Sequence, residues 1–101
     1  MHTVTNAKTL PEFRLQVTFT DGFSAVVDLK QHILKSDWPI VLPLKKAAFF
    51  RRVRVANGSI VWPNGYDVCP DVLRFWCEVG HATSQAETDA HFSATEQKKV
   101  A

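Results

Sequence analysis

The stretch from Ile60 to Leu73 constrains this chain more than any other, because it joins a strand to a helix through a tight turn. Residues 60–62 are apolar, as at the end of a strand, and Pro63-Asn64-Gly65 favours a turn. Pro70 suits the first turn of a helix, where its missing N–H costs nothing. The sequence therefore predicts that a sheet and a helix meet at this corner.

The predicted helix runs from Pro70 to Val79, with Gly80 where a C-terminal cap belongs. Its apolar residues recur at helical spacing, so one face is expected to lie on the sheet. That face consists of Val72, Leu73, Phe75, Trp76 and Val79.

Two hairpins precede this helix. Phe13–Thr20 alternates strictly between apolar and polar residues, Asp21-Gly22 forms a turn, and Phe23–Leu29 returns, with Val26 expected to touch a second layer. The second hairpin turns at Asn57-Gly58, where a type I′ turn needs positive φ twice. Its arms are Arg52–Ala56 and Ser59–Trp62, and Val4-Thr5 could add an edge strand to the first hairpin.

The segments between the hairpins are predicted from shorter patterns. Lys30–Lys35 favours one helical turn, Pro39–Leu44 an extended edge bounded by prolines, and Lys45–Arg51 a short helix with Ala47, Ala48 and Phe50 inward. We therefore expect an α+β fold over residues 1–80, with a small antiparallel sheet built from two β-hairpins and one C-terminal helix packed on it. Residues 81–101 form a polar tail, expected to be disordered or loosely helical.

Composition narrows the class of protein. The 101 residues carry a net charge of +2, contain no apolar run long enough for a membrane span, and begin without a signal-peptide pattern. Cys69 and Cys77 would stand about 12 Å apart in the predicted helix at about 1.5 Å per residue, too far for a disulfide. A reduced, cytoplasmic protein is expected, without a membrane partner.

The cations are concentrated in one segment. Five of the twelve Lys and Arg residues fall between positions 45 and 54, and Asp37 is the sole acidic residue between Lys30 and Tyr66. The segment is a candidate surface for nucleic acid or for an acidic partner protein, and equally fits a solvated face. Its cations are Lys45, Lys46, Arg51, Arg52 and Arg54.

The order of these motifs resembles the DUF2442 family of small bacterial proteins. The resemblance covers about Phe13 to Phe75 and is carried by Asp21-Gly22, Asp28-Leu29, Pro43-Leu44, Phe50 and the segment from Trp62 to Leu73. The family's signature turn and helix start fall here on Trp62, Pro63, Asn64, Gly65, Asp67, Cys69 and Pro70.

The resemblance implies an α+β fold with an antiparallel sheet and one packed helix. Some relatives carry a C-terminal helix-turn-helix domain, for which the tail here is too short, and others occur in operons shaped like toxin–antitoxin pairs. Cys69 stands where the family usually has Ser, which looks like a helix N-cap. A thiol is a poorer acceptor, so the cap is expected to pass partly to Asp67 or Asp71.

Several residues of the corner have both a chemical and a structural interpretation. Asn64 with Asp67 could form a catalytic or binding pair, but turn chemistry explains both, with Asp67 bonding amides near the helix start. Cys69 could be an activated thiolate, but no oriented histidine is evident, and a small buried cap residue is the favoured interpretation. No metal-ligand spacing, glycine-rich nucleotide loop, cofactor motif or small-molecule site is evident.

The aromatic residues divide by position. Trp62 and Trp76 lie on the predicted inward faces and are expected in the core. Trp38 and Tyr66 lie in predicted loops and are the better candidates for a contact surface.

The leading hypothesis is a protein of unknown function that acts as a non-catalytic protein-interaction or regulatory module, in a toxin–antitoxin-like operon. Its partner would be another protein or a second copy, for which open strand edges offer a further surface. One alternative is a weak nucleic-acid-binding regulator that uses residues 45–54. The other is an unrecognised enzyme at the corner formed by residues 64–69.

Overall fold

The computed structural model describes residues 2–83, 87, 88 and 90. Over residues 2–83 the chain forms two three-stranded antiparallel sheets and three α-helices. The α+β class is as predicted, with two sheets in place of the one expected. In chain order the elements are β1 (Val4–Leu10), β2 (Arg14–Phe19), β3 (Ser24–Asp28), α1 (Lys30–Leu34), a 3-10 helix (Leu42–Lys45), α2 (Ala47–Phe50), β4 (Arg54–Ala56), β5 (Ser59–Val61), β6 (Asp67–Val68) and α3 (Pro70–Val79).

The first sheet has the order β1-β2-β3. The alternation in β2 buries Leu15, Val17 and Phe19, and β2 pairs with β3 from Arg14↔Asp28 to Thr18↔Ser24. The predicted hairpin is therefore confirmed. Val26, however, is 43% exposed, so the expectation that it touches a second layer is wrong.

Strand β1 is longer than its sequence indicates. It spans seven residues where two were expected, and it lies at the sheet's edge against β2. Apolar and polar residues do not alternate clearly along β1, where Asn6, Lys8 and Thr9 are polar, because little of the strand is buried. Its position depends on pairing with β2, which a local pattern does not reveal.

The second sheet has the order β4-β5-β6. Asn57 (φ 53°) and Gly58 (φ 79°) supply the two left-handed positions of the predicted hairpin turn. The two hairpins thus belong to separate sheets, which are joined where the Val4 N–H donates to the Gly58 carbonyl at 2.8 Å.

Helix α3 begins at Pro70 and ends before Gly80, as the sequence predicts, and it packs on β3. Gly80 is left-handed and its N–H donates to the Trp76 carbonyl at 2.8 Å. Leu73 and Trp76 are buried, but Val79 is exposed, and Cys77 takes its place on the buried face. The buried face of α3 is therefore rotated from the predicted one. It follows Leu73 and Cys77, which lie one helical turn apart, rather than the side that carries Val79.

The segment from Pro39 to Leu44 is not extended, contrary to the sequence prediction. The Trp38 carbonyl accepts from Val41 N–H at 2.9 Å and from Leu42 N–H at 3.1 Å, and a 3-10 helix follows. Val41 and Leu44 are both fully buried. Their three-residue spacing fits this tight helix, and the proline within it lies in its first turn.

The short helix predicted over Lys45–Arg51 is α2, which spans four residues. Phe50 is buried as expected, whereas Ala47 and Ala48 are exposed. Alanine is too small to indicate a buried face by itself.

Trp62 lies at the centre of the core and is 1% exposed. Its indole N–H donates to the Phe50 carbonyl at 2.9 Å, which links the strand–helix corner to α2. One apolar cluster contains side chains of both sheets and of α3, so the two sheets share a single core.

Residues after α3 continue against the first sheet. Asp28 N–H donates to the Gly80 carbonyl and Ala82 N–H to the Asp28 carbonyl, each at 3.0 Å. Thr83 and Thr88 are buried. Most of the tail predicted for 81–101 lies outside the described residues, and the boundary at residue 80 stays a prediction. In the described part of the chain, no helix has the length and apolarity that a membrane crossing requires.

Candidate functional site

The corner after β5 is a tight turn held by its own backbone. Gly65 N–H donates to the Trp62 carbonyl and Trp62 N–H to the Tyr66 carbonyl, both at 2.9 Å. The Asn64 side chain accepts from Tyr66 N–H at 3.2 Å and donates to the Ile40 carbonyl at 2.7 Å. Asn64 thus performs the expected turn chemistry and also fixes the segment around Ile40. Gly65 has a positive φ of 91°, whereas Asn64 does not have positive φ.

Cys69 occupies the N-cap position of α3, but its side chain makes no capping hydrogen bond and it is exposed. The expectation of a buried cap residue is therefore wrong. The neighbouring carboxylates, Asp67 and Asp71, do not cap the helix in place of Cys69. Asp67 is exposed in β6, opposite Val61, and Asp71 accepts from the backbone N–H of His2 at 3.1 Å.

Asp71 ties the start of the chain to the start of α3. One of its oxygens also lies 3.1 Å from the His2 ring nitrogen Nδ1. Hydrogen bonds from the His2 backbone and ring hold the pKa of Asp71 below its usual value. The contact is structural and half exposed, so it forms no enclosed site.

Trp62 and Trp76 are core residues, as the sequence predicts. The indole N–H of Trp76 donates to the Thr83 hydroxyl at 3.0 Å, and that hydroxyl lies 2.6 Å from the Thr88 hydroxyl. Because both rings are buried, neither is a ligand platform.

Tyr66 is less open than its loop position indicated. Its hydroxyl lies 2.7 Å from His32 Nε2, and its ring packs 5.7 Å from that of Trp62. Burial, with a contribution from the Asp67 charge, raises the pKa of Tyr66 to about 12. Burial likewise lowers the pKa of His32. The pair belongs to the interior side of the corner, so Tyr66 is not a free contact aromatic.

Trp38 is the most exposed of the large apolar side chains described, at 61%. It is part of an apolar turn, which we define as the exposed side chains of Leu34, Trp38, Ile40 and Leu42. The backbone beneath them is held by buried Val41 and by the Asn64–Ile40 bond. Trp38 N–H also donates to the Ser36 hydroxyl at 3.2 Å. The turn therefore presents apolar groups on a fixed backbone.

The basic segment, defined as Lys45, Lys46, Arg51, Arg52 and Arg54, follows the apolar turn directly. All five side chains are exposed. In the part of the chain that the structure describes, every ion pair involves His2 or Arg74, so none of the five has a carboxylate partner there. The 3-10 helix that carries Lys45 packs against both α1 and α2, which holds the turn and the basic segment on one body.

A cavity of about 580 Å³ opens beside the apolar turn. One wall is formed by Gln31, His32, Lys35 and Ser36, at helical spacing in and after α1. Asp37 and Trp38 form one end. The opposite wall consists of Ala82, Thr83, Glu87 and Thr88.

Sequence reasoning missed this cavity. His32 has a weak local context, since its partners Tyr66 and Trp76 are distant along the chain. The one local signal was the spacing of Gln31 with Lys35 and of His32 with Ser36, which places two pairs of polar side chains on adjacent helical positions. The wall formed by Ala82, Thr83, Glu87 and Thr88 had no signal, because the polar composition after Gly80 indicated a tail.

A second cavity, of about 280 Å³, lies at the β1–β2 turn beside Arg51. Glu12 (φ 62°) and Phe13 (φ 60°) are left-handed there, although neither is glycine. Phe13 is held by packing, since its ring lies 5.3 Å from that of Phe50 and its carbonyl accepts from Leu29 N–H. Core packing therefore explains this unusual backbone.

Comparison with known families gives one finding. Residues 4–78 match the model of a family described as a protein of unknown function, DUF2442. The chain belongs to the DUF2442 family. Comparisons of this DUF2442 chain with curated proteins and with solved structures each give no significant match. The matched residues include the corner, the apolar turn and the basic segment, but end before the second wall of the larger cavity.

Proposed function

We propose that this DUF2442 chain is a non-catalytic protein-interaction module that binds an acidic partner protein through the apolar turn and the basic segment. The observation that carries the proposal is Trp38, an exposed tryptophan on a pinned turn. Tryptophan and arginine are the residues most enriched among those that dominate binding energy at protein interfaces.

The rigidity of the turn supports binding rather than solvation. Asn64 donates to the Ile40 carbonyl and Val41 is buried, so little backbone order remains to be lost on association. Preformed apolar groups bind with a smaller entropic cost than mobile ones. Ile40 and Leu42 lie beside Trp38 in sequence and are exposed with it, which supplies the apolar centre of an interface.

Charge supports an acidic partner. The five cations of the basic segment are exposed and lack carboxylate partners within the described residues. Along the sequence, Asp37 is the one acidic residue between Lys30 and Tyr66. Cations around an apolar centre speed the encounter with an acidic surface and disfavour basic ones.

The proposal excludes catalysis at the corner, and the geometry there supports that part. Asn64 uses both ends of its amide on backbone groups, and Cys69 is exposed at its helix end. Neither the larger nor the second cavity is lined by residues 64–69.

The test is co-expression with the products of neighbouring genes, followed by size exclusion and measurement of the dissociation constant. Trp38→Ala is expected to weaken binding about thirtyfold, the factor that corresponds to about 2 kcal/mol at a dominant contact. Val26→Ser is the control, because Val26 is also an exposed apolar residue, at 43%, but lies on β3 rather than in the apolar turn.

Three outcomes would contradict the proposal: a chain that always elutes as a monomer, a complex insensitive to Trp38→Ala, or a concentration-dependent homodimer that Trp38→Ala disrupts. A homodimer of that kind would assign the turn to self-association.

Weak nucleic-acid binding is a second candidate, favoured by the five exposed cations. If each neutralises one phosphate, the slope of log K against log salt concentration is at most about −4.5. Arg51→Glu with Arg52→Glu is expected to abolish a shift of duplex DNA, while Lys8→Glu on β1 serves as the control. Absence of any shift at low salt would exclude this candidate.

A further inference from the structure

We infer that the second cavity, at the β1–β2 turn, is a binding site for a small apolar amino acid in its zwitterionic form, leucine being a suitable example. The Arg51 guanidinium would bind the carboxylate of the ligand, and the Glu12 carboxylate would bind its ammonium group. The apolar lining would hold the side chain of the ligand. This site goes beyond the proposed partner surface, with which the cavity shares only Arg51.

The walls of the second cavity come from two distant parts of the chain. Residues 9–13 are the end of β1 and the turn that follows it. Ala47, Phe50 and Arg51 face them from α2 and its C-terminal end. The centre of the Phe13 ring lies 5.3 Å from that of the buried Phe50 ring, which joins the two walls. The cavity is therefore formed by packing of the core.

Two opposite charges line this cavity without neutralising each other. Glu12 and Arg51 are both exposed, and within the described residues neither belongs to an ion pair. The neighbouring Arg52 differs, because its guanidinium lies 6.0 Å from the centre of the Phe49 ring. Each charge of the lining can form a charge-assisted hydrogen bond with a ligand, and such bonds are stronger than neutral ones. A zwitterion supplies a partner for both charges, which a simple anion or cation does not.

Glu12 stands at a backbone position where glutamate is unusual. Its φ of 62° is a left-handed value that glycine and asparagine adopt more readily. The packing of Phe13 on Phe50 fixes the backbone of the turn, but it gives no reason for a carboxylate at position 12. Arg14 also holds the turn, since its Nε–H donates to the Pro11 carbonyl at 3.0 Å. A charged side chain kept on a strained and well-held backbone supports a role in binding.

The size and lining of the cavity suit an amino acid with an aliphatic side chain. The volume of about 280 Å³ is just below the range of roughly 300–1,000 Å³ that is usual for small-molecule sites, so the ligand must be small. Leu10, Phe13 and Phe50 supply apolar surface, and Thr9 adds a hydroxyl. Ligand pockets usually combine a mostly apolar lining with a few polar groups that fix the orientation of the ligand.

The experiment uses leucine as the probe, with two analogues that each lack one charge. Isocaproic acid lacks the ammonium group and isopentylamine lacks the carboxylate. Leucine is expected to shift the backbone amide NMR signals of Glu12 and Arg51 saturably, and to bind about fivefold more tightly than either analogue, as for one exposed ion pair. No saturable shift, or an analogue that binds as tightly as leucine, would overturn the inference.

Charge variants test the role of each side chain. Arg51→Gln should weaken leucine binding about fivefold without weakening the binding of isopentylamine, and Arg52→Gln is the matched control because Arg52 does not line the cavity. Glu12→Gln should weaken leucine binding by a similar factor without weakening the binding of isocaproic acid. A variant that weakens leucine and both analogues alike would contradict the assigned pairing of charges.

Cavity variants locate the site. Ala47→Leu narrows the cavity and should abolish the saturable shift, whereas Ala48→Leu should not, because Ala48 is exposed on the same helix but does not line the cavity. Trp38→Ala should leave leucine binding unchanged, so failure of this site and failure of the partner surface are separate results. Leucine binding that survives Ala47→Leu would show that the second cavity is not the site.

Discussion

The environment of Tyr66 differs strongly from that of a free tyrosine side chain. Tyr66 is half-buried between Trp62 and His32, and its pKa is raised to about 12 by burial and by the Asp67 charge. A raised pKa in the folded state contributes stability below the unfolded value of about 10, and that contribution is lost as the pH rises toward 12.

Titration of tyrosinate absorbance tests this environment directly, because Tyr66 is the single tyrosine of the chain. The native protein is expected to titrate near pH 12 and the denatured chain near pH 10. Asp67→Asn should lower the native midpoint, since a neighbouring negative charge disfavours ionisation. A native midpoint equal to the denatured one would mean that the ring is solvated.

The two cysteines are expected to differ in reactivity. Cys77 is 4% exposed and burial raises the pKa of its thiol to about 12, whereas Cys69 is exposed. Because the thiolate is the reactive form, one thiol per chain should react rapidly with a disulfide reagent in the native state, and both in denaturant. Cys69→Ser should remove the rapid phase. Two rapid thiols in native protein would contradict the burial of Cys77.

Among the elements, α3 is fastened to the first hairpin by Arg74. Its guanidinium donates to Asp21 at 2.9 Å and to Glu78 at 3.0 Å, and it lies 4.0 Å from the centre of the Phe23 ring. Asp21 is also the turn residue that accepts from Phe23 N–H, and its hydrogen bond with Arg74 lowers its pKa. One arginine therefore joins a turn, an aromatic face and the helix.

Replacing this arginine should loosen the helix. Arg74→Met keeps the stem but removes the cation, and it is expected to lower the free energy of unfolding by about 1–2 kcal/mol, mostly through lost ring contacts. Arg54→Met is the matched control, because Arg54 is exposed without an ion pair among the described residues, and it should change stability by less than about 0.5 kcal/mol. Thermal unfolding measures both, and equal effects would refute this role for Arg74.

The elements that could be predicted from sequence are those specified by local chemistry. Asp21-Gly22 and Asn57-Gly58 form turns by their own backbone preferences, and Pro70 with Gly80 marks both ends of α3. Strand β6 and the 3-10 helix could not be predicted, because they depend on contacts with β5 and the core. The larger cavity could not be predicted for the same reason, since its walls meet only after α3 brings Ala82, Thr83, Glu87 and Thr88 beside α1.

The candidate surfaces, too, could be predicted where local sequence specifies them and not where they depend on contacts between distant residues. Exposure of the basic segment could be anticipated from five cations with one nearby carboxylate. Trp38 was identified from its loop position, but the pinning of its turn by Asn64 joins residues far apart in sequence. Tyr66 was misjudged because a loop position does not reveal an internal partner such as His32.

At the scale of the molecule, the two sheets share one core rather than forming two independent units. Trp62 contacts Phe50 and Tyr66 through its ring and donates its indole N–H to the Phe50 carbonyl. The apolar cluster around it includes Leu15 of the first sheet and Ile60 of the second. A shared core of this kind makes unfolding of one sheet expose the other, so a single cooperative transition is expected.

Trp62→Phe tests that coupling with a variant mild enough to fold. It removes the indole N–H, leaves the Phe50 carbonyl with only the long bond of 3.4 Å from Val53 N–H, and opens a small void. Unfolding is therefore expected to be easier by about 2–3 kcal/mol. Because the core is shared, amides of β2 and β5 should lose hydrogen-exchange protection together and by the same free energy. Loss of protection in β5 with β2 unaffected would show that the first sheet and α3 fold without the second sheet.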